Sequence, residues 1–166
     1  MGTYADRLRL IIAPCSTKHF NGEIGTMTRK EEQQIKTARC ILTKADKYFL
    51  VVHQSRMFSG KKSWGLPGGR VEHGETCGEA LVRELNEELY ICINHFLNVG
   101  DYQYKGHTHR IFAAECNEKI VKFNRNEIKK IGWHSAEQVK TYEQQGLLHT
   151  GFEWQAIRDF EAMRSH

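Results

Sequence analysis

The chain has 166 residues, of which 40% are hydrophobic and 27% are charged, and its formal net charge is +4. A chain of this length forms one domain with a sizeable core, and the composition excludes collagen-like, disordered and disulfide-scaffold proteins. The net charge is too small to indicate nucleic-acid binding by itself. The longest apolar run near the N-terminus, residues 10–13, is too short for a signal peptide or a membrane span.

The cysteines indicate a reducing environment. There are five of them, widely spaced, and no two form a C-x-x-C pair. This spacing argues against a zinc site, and an odd count without a visible signal peptide favours reduced thiols. We therefore expect a cytoplasmic protein.

The first part of the chain predicts an extension followed by a β-hairpin. Residues 1–34 are mainly polar and loop-like, with the pattern of a strand at residues 8–13. Residues 35–42 and 48–53 are apolar, partly β-branched runs that flank a short polar segment. Such a pair of runs predicts two antiparallel strands joined by a tight turn.

The middle of the chain predicts a rigid turn and a helix. A basic loop over residues 55–63 leads to segment 64–69, whose glycines and proline predict a turn. Thr76 and Glu79 form a capping-box pattern, and leucines then recur at every fourth position, which predicts a helix over residues 76–89. These leucines are Leu81, Leu85 and Leu89.

The last part predicts further strands and two helices. Residues 96–104 and 109–115 predict a pair of strands, and residues 127–133 predict another. Capping-box patterns begin at Ser135 and at Thr150 and predict a helix after each. The predicted buried face of the last helix consists of Phe152, Ala156, Ile157 and Phe160. Because strands and helices interleave, we expect an α+β fold with one mixed sheet between helices.

Negative charge is concentrated in the middle of the chain. Between Gly69 and Ile91, six glutamates stand against two arginines, a local net charge of −4, so the rest of the chain carries +8. An acidic site in a basic body suits a protein that binds cations and, through them, an anionic substrate. A solvated acidic helix surface is the alternative interpretation.

Three of these glutamates share one helix face. Glu84, Glu87 and Glu88 occupy positions i, i+3 and i+4, so their carboxylates crowd together and repel each other. A cation would offset this repulsion, and hard oxygen donors favour Mg²⁺ or Mn²⁺. The two glycines directly upstream, Gly68 and Gly69, favour the metal interpretation because glycine lets backbone approach a metal or phosphate closely.

The stretch from Gly69 to Ile91 resembles the Nudix box, G-x5-E-x7-R-E-U-x-E-E-x-G-U, in which U is a bulky aliphatic residue. The matching residues are Gly69, Glu75, Arg83, Glu84, Leu85, Glu87, Glu88 and Ile91. Tyr90 departs from the pattern, because the family has a glycine there that normally ends the helix in a left-handed conformation. The resemblance implies a Nudix-type α/β/α sandwich over residues 35–162, with residues 1–34 as an extension.

The resemblance also implies a function. Nudix hydrolases cut the diphosphate linkage of a nucleoside diphosphate linked to another moiety, or of a nucleoside triphosphate, with Mg²⁺ or Mn²⁺ as cofactor. The implied metal ligands are the carbonyl of Gly68 and the carboxylates of Glu84, Glu87 and Glu88. The implied role of Glu75 and Arg83 is an ion pair that braces the loop against the helix.

The general base and the substrate contacts are less defined. Glu84 is the first candidate for the base, and a glutamate from a later loop is the alternative. The loop candidates are Glu115, Glu118 and Glu127. Candidate substrate-binding residues are Arg70, Trp64 and Arg56, although each also fits packing or a solvated loop charge.

Two classes of function follow. The first is a Nudix pyrophosphohydrolase that acts on a small nucleotide-like molecule. The second is a catalytically silent Nudix-like nucleotide-binding or regulatory module, in which broken glutamates would be expected, whereas all three are intact here. Neither nucleic acid nor a membrane is an expected partner, and a homodimer is compatible with the sequence.

Overall fold

The computed structural model describes residues 34–54 and 63–165, which contain six strands and three helices. The strands are β1 (Ile35–Lys44), β2 (Lys47–His53), β3 (Gly68–Arg70), β4 (Leu97–Tyr104), β5 (His107–Glu115) and β6 (Ile128–Ser135). The helices are α1 (Cys77–Leu89), α2 (Ala136–Gln144) and α3 (Glu153–Arg164). The predicted α+β class with a mixed sheet is confirmed.

Five strands form one sheet in the order β4-β5-β1-β2-β6, and the short sixth strand, β3, pairs with β1. Strands β1 and β5 are parallel, whereas the other pairs are antiparallel. The two predicted hairpins, β1–β2 and β4–β5, are both present. The central position of β1 gives it three neighbours, so its register fixes the location of β3.

Side chains alternate between the two faces of the sheet and form two cores. One core packs α1 against the first face through the predicted leucine stripe, Leu81, Leu85 and Leu89. The second core covers the other face with α2 and α3, and it contains the predicted buried residues of the last helix. The chain is therefore an α/β/α sandwich, and α1 is held against the sheet by one apolar stripe.

Two local predictions were wrong. The segment Gly68–Arg70 is a short strand rather than part of a turn, because its pairing with β1 comes from tertiary contact and not from β-branched residues. Thr150 does not cap the last helix, since Phe152 holds the cap position without a side-chain hydrogen bond. The carboxylate of Glu153 does accept hydrogen bonds from the backbone N–H groups of Thr150 and Gly151, but the Thr150 hydroxyl has no hydrogen-bond partner among the described residues.

Other expectations fall outside the described residues. They include the strand predicted at residues 8–13, nearly all of the basic loop and its Arg56. Within residues 34–54 and 63–165, no helix has the length and apolar character needed to cross a membrane.

Tyr90, the one residue that departs from the Nudix pattern, lies at the C-terminal end of α1. Tyr90 adopts the left-handed conformation expected of the family's glycine, with φ 56° and ψ 34°, and 59% of its surface is exposed. An L residue in this conformation costs about 1–2 kcal/mol. Because the ring is largely exposed, its packing offers little compensation.

We expect Tyr90→Gly to raise the free energy of unfolding by about 1 kcal/mol. Glycine removes the strain of the left-handed conformation, and the greater conformational entropy that it gives the unfolded chain cancels only part of this gain in stability. Urea denaturation measures this change. Tyr90→Ala is the control, since it removes the ring but keeps the Cβ. Equal stability of the glycine and alanine variants would show that backbone strain is not the cause.

Candidate metal centre

Local sequence fixes the start of α1 and hence the direction of its glutamates. The Thr76 hydroxyl accepts a hydrogen bond from the N–H of Glu79 at 3.2 Å, and the Glu79 carboxylate accepts from the N–H of Thr76 at 2.8 Å. This is the predicted capping box. With the leucine stripe buried, the adjoining helix face turns Glu84 and Glu88 toward β3.

Strand β3 passes between β1 and α1 with almost no spare room. A Cβ on Gly68 would lie 2.4 Å from the carbonyl oxygen of Ala38, and φ at Gly68 is +114°. A Cβ on Gly69 would lie 2.3 Å from the carboxyl carbon of Glu84. Gly68 is therefore needed for the backbone to approach β1, whereas Gly69 leaves room for the carboxyl group of Glu84.

Arg39, on β1, braces the turn at residues 64–67 and the start of β3. Its Nη1 donates hydrogen bonds to the carbonyl oxygens of Leu66 at 2.8 Å and Gly68 at 3.0 Å, and it lies 3.2 Å from Nε2 of His53. Since a guanidinium can only donate, Nε2 of His53 accepts this hydrogen bond. Arg39 therefore fixes both the turn and the orientation of the neighbouring imidazole.

The carboxylates of Glu84, Glu88 and Glu127 converge beside this turn. Each offers one oxygen, and the three oxygens lie within 4.8 Å of one another. Only 2% of the surface of Glu88 is exposed, whereas Glu127 is exposed. Three hard oxygen donors at this spacing can hold a divalent cation, which would offset their mutual repulsion.

Glu88 is the buried member of the cluster, and both of its oxygens have partners. Its Oε2 accepts a hydrogen bond from the N–H of Gly68 at 2.8 Å, and its Oε1 lies 3.2 Å from Nδ1 of His53. Burial raises the pKa of Glu88 to about 8, although the Gly68 N–H and the charge of Arg39 oppose this rise. Burial, with Arg39 next, lowers the pKa of His53 to about 3, so this imidazole is neutral near pH 7.

Arg83 connects the helix to the loop that precedes it. Its Nη2 and Nε lie 2.7 and 3.1 Å from the two oxygens of Glu75, and its Nη2 also donates to the carbonyl of Arg70 at 2.9 Å. The ion pair implied by the resemblance is thus present. On its other side, Nη1 of Arg83 lies 3.0 Å from Glu84 and 3.3 Å from Glu87.

Comparison with protein families decides the identity. A model of the NUDIX domain matches residues 34–155. The chain belongs to the Nudix family. This match confirms the predicted family and the predicted enzyme class, a Nudix hydrolase. No curated protein matches the chain.

Solved structures show the same Nudix fold. A NUDIX hydrolase from Nitrosomonas europaea is 24% identical, with a TM-score of 0.58 over 78% of this chain and 90% of that one. An Ap4A hydrolase of C. elegans is 18% identical, with a TM-score of 0.64 over 78% and 98%. The NUDIX domain of Shewanella oneidensis NrtR, solved with ADP ribose, is 16% identical, with a TM-score of 0.62 over 82% and 99%.

The Nudix-box glutamates do not all lie in the cluster. Glu84 and Glu88 do, but Glu87 pairs with Arg83, and 51% of its side chain is exposed. Glu127 takes the third place, and it comes from the loop before β6. Of the three loop glutamates proposed as bases, this is the one that joins the box glutamates among the described residues.

The predicted substrate-binding residues lie in different places. Trp64 is 9% exposed and belongs to the second core, where its ring packs 4.4 Å from that of His134 and 6.0 Å from that of Tyr142. The plainer interpretation, packing, fits this position. Arg70 is exposed at the end of β3, beside the Nudix-box loop.

Sequence reasoning missed Arg39 and His53. Neither belongs to a motif, and both act through the register of β1 and β2 against the turn. That register is tertiary information, so only the alternation of β1 could have suggested which of its side chains turn toward β3.

The two glycines predict different responses to an added methyl group. Gly68→Ala should lower the free energy of unfolding by about 2–4 kcal/mol, because the Cβ meets backbone atoms and φ is left-handed. Gly69→Ala should lower it by less than about 1 kcal/mol, because the flexible end of Glu84 can move aside. Urea denaturation of both variants measures the contrast, and equal losses would contradict this account of the turn.

Proposed function

We propose that this Nudix domain is a metal-dependent pyrophosphohydrolase. Its substrate would be a nucleoside diphosphate linked to another moiety, or a nucleoside triphosphate, and Mg²⁺ or Mn²⁺ its cofactor. The observation that carries the proposal is the convergence of carboxylate oxygens of Glu84, Glu88 and Glu127 within 4.8 Å of one another beside Gly68 and Gly69 of β3. One structural neighbour is an Ap4A hydrolase and another is bound to ADP ribose, and both support a nucleotide-like substrate.

The residues present fit a divalent cation. Carboxylates and a backbone carbonyl are the donors that Mg²⁺ and Mn²⁺ prefer. Glu84, Glu88 and Glu127 would hold the ion with the carbonyl of Gly68, and Glu87 would join by turning from Arg83. A bound cation supplies charge neutralisation for the diphosphate and a more acidic water.

The protein residues would divide the remaining work. We propose Glu84 as the general base, because Arg83 fixes one of its oxygens at 3.0 Å and Gly69 leaves room beside its carboxyl group. Glu127 is the alternative base, since it is exposed at the edge of the cluster. Arg83 and Glu75 would hold the loop, and the exposed Arg70 would contact phosphate oxygens.

We also propose the wider setting predicted from the sequence. The Nudix domain would span residues 35–162 after an extension of residues 1–34. It would act in the cytoplasm on small molecules, as a monomer or a homodimer. Cys40 and Cys116 are buried thiols that form no disulfide, and this supports a reducing compartment.

We expect Glu84→Gln to lower turnover by about two orders of magnitude or more, the usual cost of removing a positioned base or a charge-stabilising carboxylate. Melting temperature in EDTA should change little, because relief of the repulsion with Glu87 and Glu88 offsets the loss of the ion pair with Arg83 at 3.0 Å. The stabilisation given by Mg²⁺ should shrink, since a ligand stabilises only the state that binds it. Glu143→Gln, on the exposed surface of α2, is the matched control.

The assay is hydrolysis of a nucleotide panel with Mg²⁺, Mn²⁺ or EDTA, followed by the variants on the best substrate. Full activity in Glu84→Gln, with loss in Glu127→Gln, would move the base to Glu127. Loss in Glu115→Gln or Glu118→Gln alone would overturn the proposed site. Metal-dependent nucleotide binding without any hydrolysis would favour the silent binding module.

A further inference from the structure

Asn124 links the exposed glutamate of the cluster to the helix that carries the other two. Its backbone N–H donates to the carbonyl oxygen of Glu88 at 2.8 Å, at the end of α1. Its side-chain Nδ2 donates to Oε1 of Glu127 at 2.9 Å. One residue therefore contacts both the backbone of the Nudix-box helix and the carboxylate that completes the cluster.

The same asparagine shapes the turn that carries Glu127. Its Oδ1 accepts a hydrogen bond from the N–H of Asn126 at 3.1 Å, which is an Asx-turn. Its backbone oxygen accepts from the N–H groups of Glu127 at 3.2 Å and Ile128 at 2.8 Å. Asparagine suits this position because its side chain offers an acceptor to the turn and a donor to the carboxylate at once.

The loop is also fastened on the side of the sheet. The N–H of Gln54, at the end of β2, donates to the carbonyl oxygen of Glu127 at 2.6 Å, and its Nε2 donates to that of Arg125 at 3.2 Å. These bonds hold the backbone of Glu127 but not its side chain. The contact that directs the carboxylate itself comes from Nδ2 of Asn124.

We propose that Asn124 is a positioning residue that holds the Glu127 carboxylate in the metal cluster. This inference rests on the proposed metal-dependent function. An exposed glutamate side chain has several rotatable bonds, and one hydrogen bond to a fixed donor restricts them. Partners of this kind commonly change metal affinity or activity by about 10–100-fold when removed.

Asn124→Ser tests the proposal. Serine keeps an acceptor that can close the turn, but it is too short to reach Glu127. We expect Mn²⁺ affinity, measured by calorimetry, to fall by about 10-fold or more. We also expect kcat to fall, with a larger relative change in kcat than in KM. Asn126→Ser makes the same chemical change in the same exposed loop and should leave both quantities near those of the wild type.

A double-mutant cycle separates positioning from general damage to the loop. If Asn124 acts through Glu127, Asn124→Ser should have no further effect on Mn²⁺ affinity in a Glu127→Ala background. Additive losses, or equal affinities in Asn124→Ser and Asn126→Ser, would overturn the role of Asn124 while leaving the metal site in place. Absence of Mn²⁺ binding in the wild type would instead overturn the proposed function, and this inference with it.

Discussion

The hydrogen bond from the Gly68 N–H to the buried carboxylate of Glu88 is the interaction on which the site depends. It joins β3 to α1 at 2.8 Å, and it requires a backbone that lies too close to β1 for any side chain at position 68. Without this bond, one oxygen of a carboxylate with 2% exposure would lose its backbone donor and keep only the contact of the other oxygen with His53. The close approach of β3 to α1 depends on the two glycines, on the register of β1 with β3, and on the helix face of α1 that carries Glu88.

The packing of α1 keeps negative charges together that would separate in water. Two ionised carboxylates at the spacing of Glu84 and Glu88 repel each other by about 3 kcal/mol at an effective dielectric constant of 20. Burying one leucine stabilises the fold by about 1.5–3 kcal/mol, so the leucine stripe is large enough to hold the two residues in place. In the absence of a cation, the raised pKa of Glu88 means that a proton relieves part of the repulsion.

The sequence could predict what depends on neighbours along the chain. The capping box at Thr76 and the leucine stripe predicted α1, and paired strand-like runs around short turns predicted both hairpins. It could not predict β3, because three residues with two glycines carry no strand pattern. Thr150 failed as a cap although it has the same T-x-x-E pattern as Thr76. The Glu153 carboxylate accepts from the N–H of Thr150 as Glu79 does from that of Thr76, but the Thr150 hydroxyl has no hydrogen-bond partner among the described residues, and the helix begins at Glu153.

Members of the site that are distant in sequence were the hardest to predict. The spacing of Glu84, Glu87 and Glu88 predicted a shared helix face, yet the structure divides them, with Glu87 drawn to Arg83 and Glu127 brought in from a loop. A helix pattern gives the angle between side chains but not the partner that each finds. Arg83 contacts both Glu84 and Glu87, but Glu84 and Glu88 also lie against Gly69 and Gly68 of β3, whereas half of the Glu87 side chain faces solvent. The cluster therefore follows from where β3 and the loop before β6 meet α1, which only the folded sheet determines.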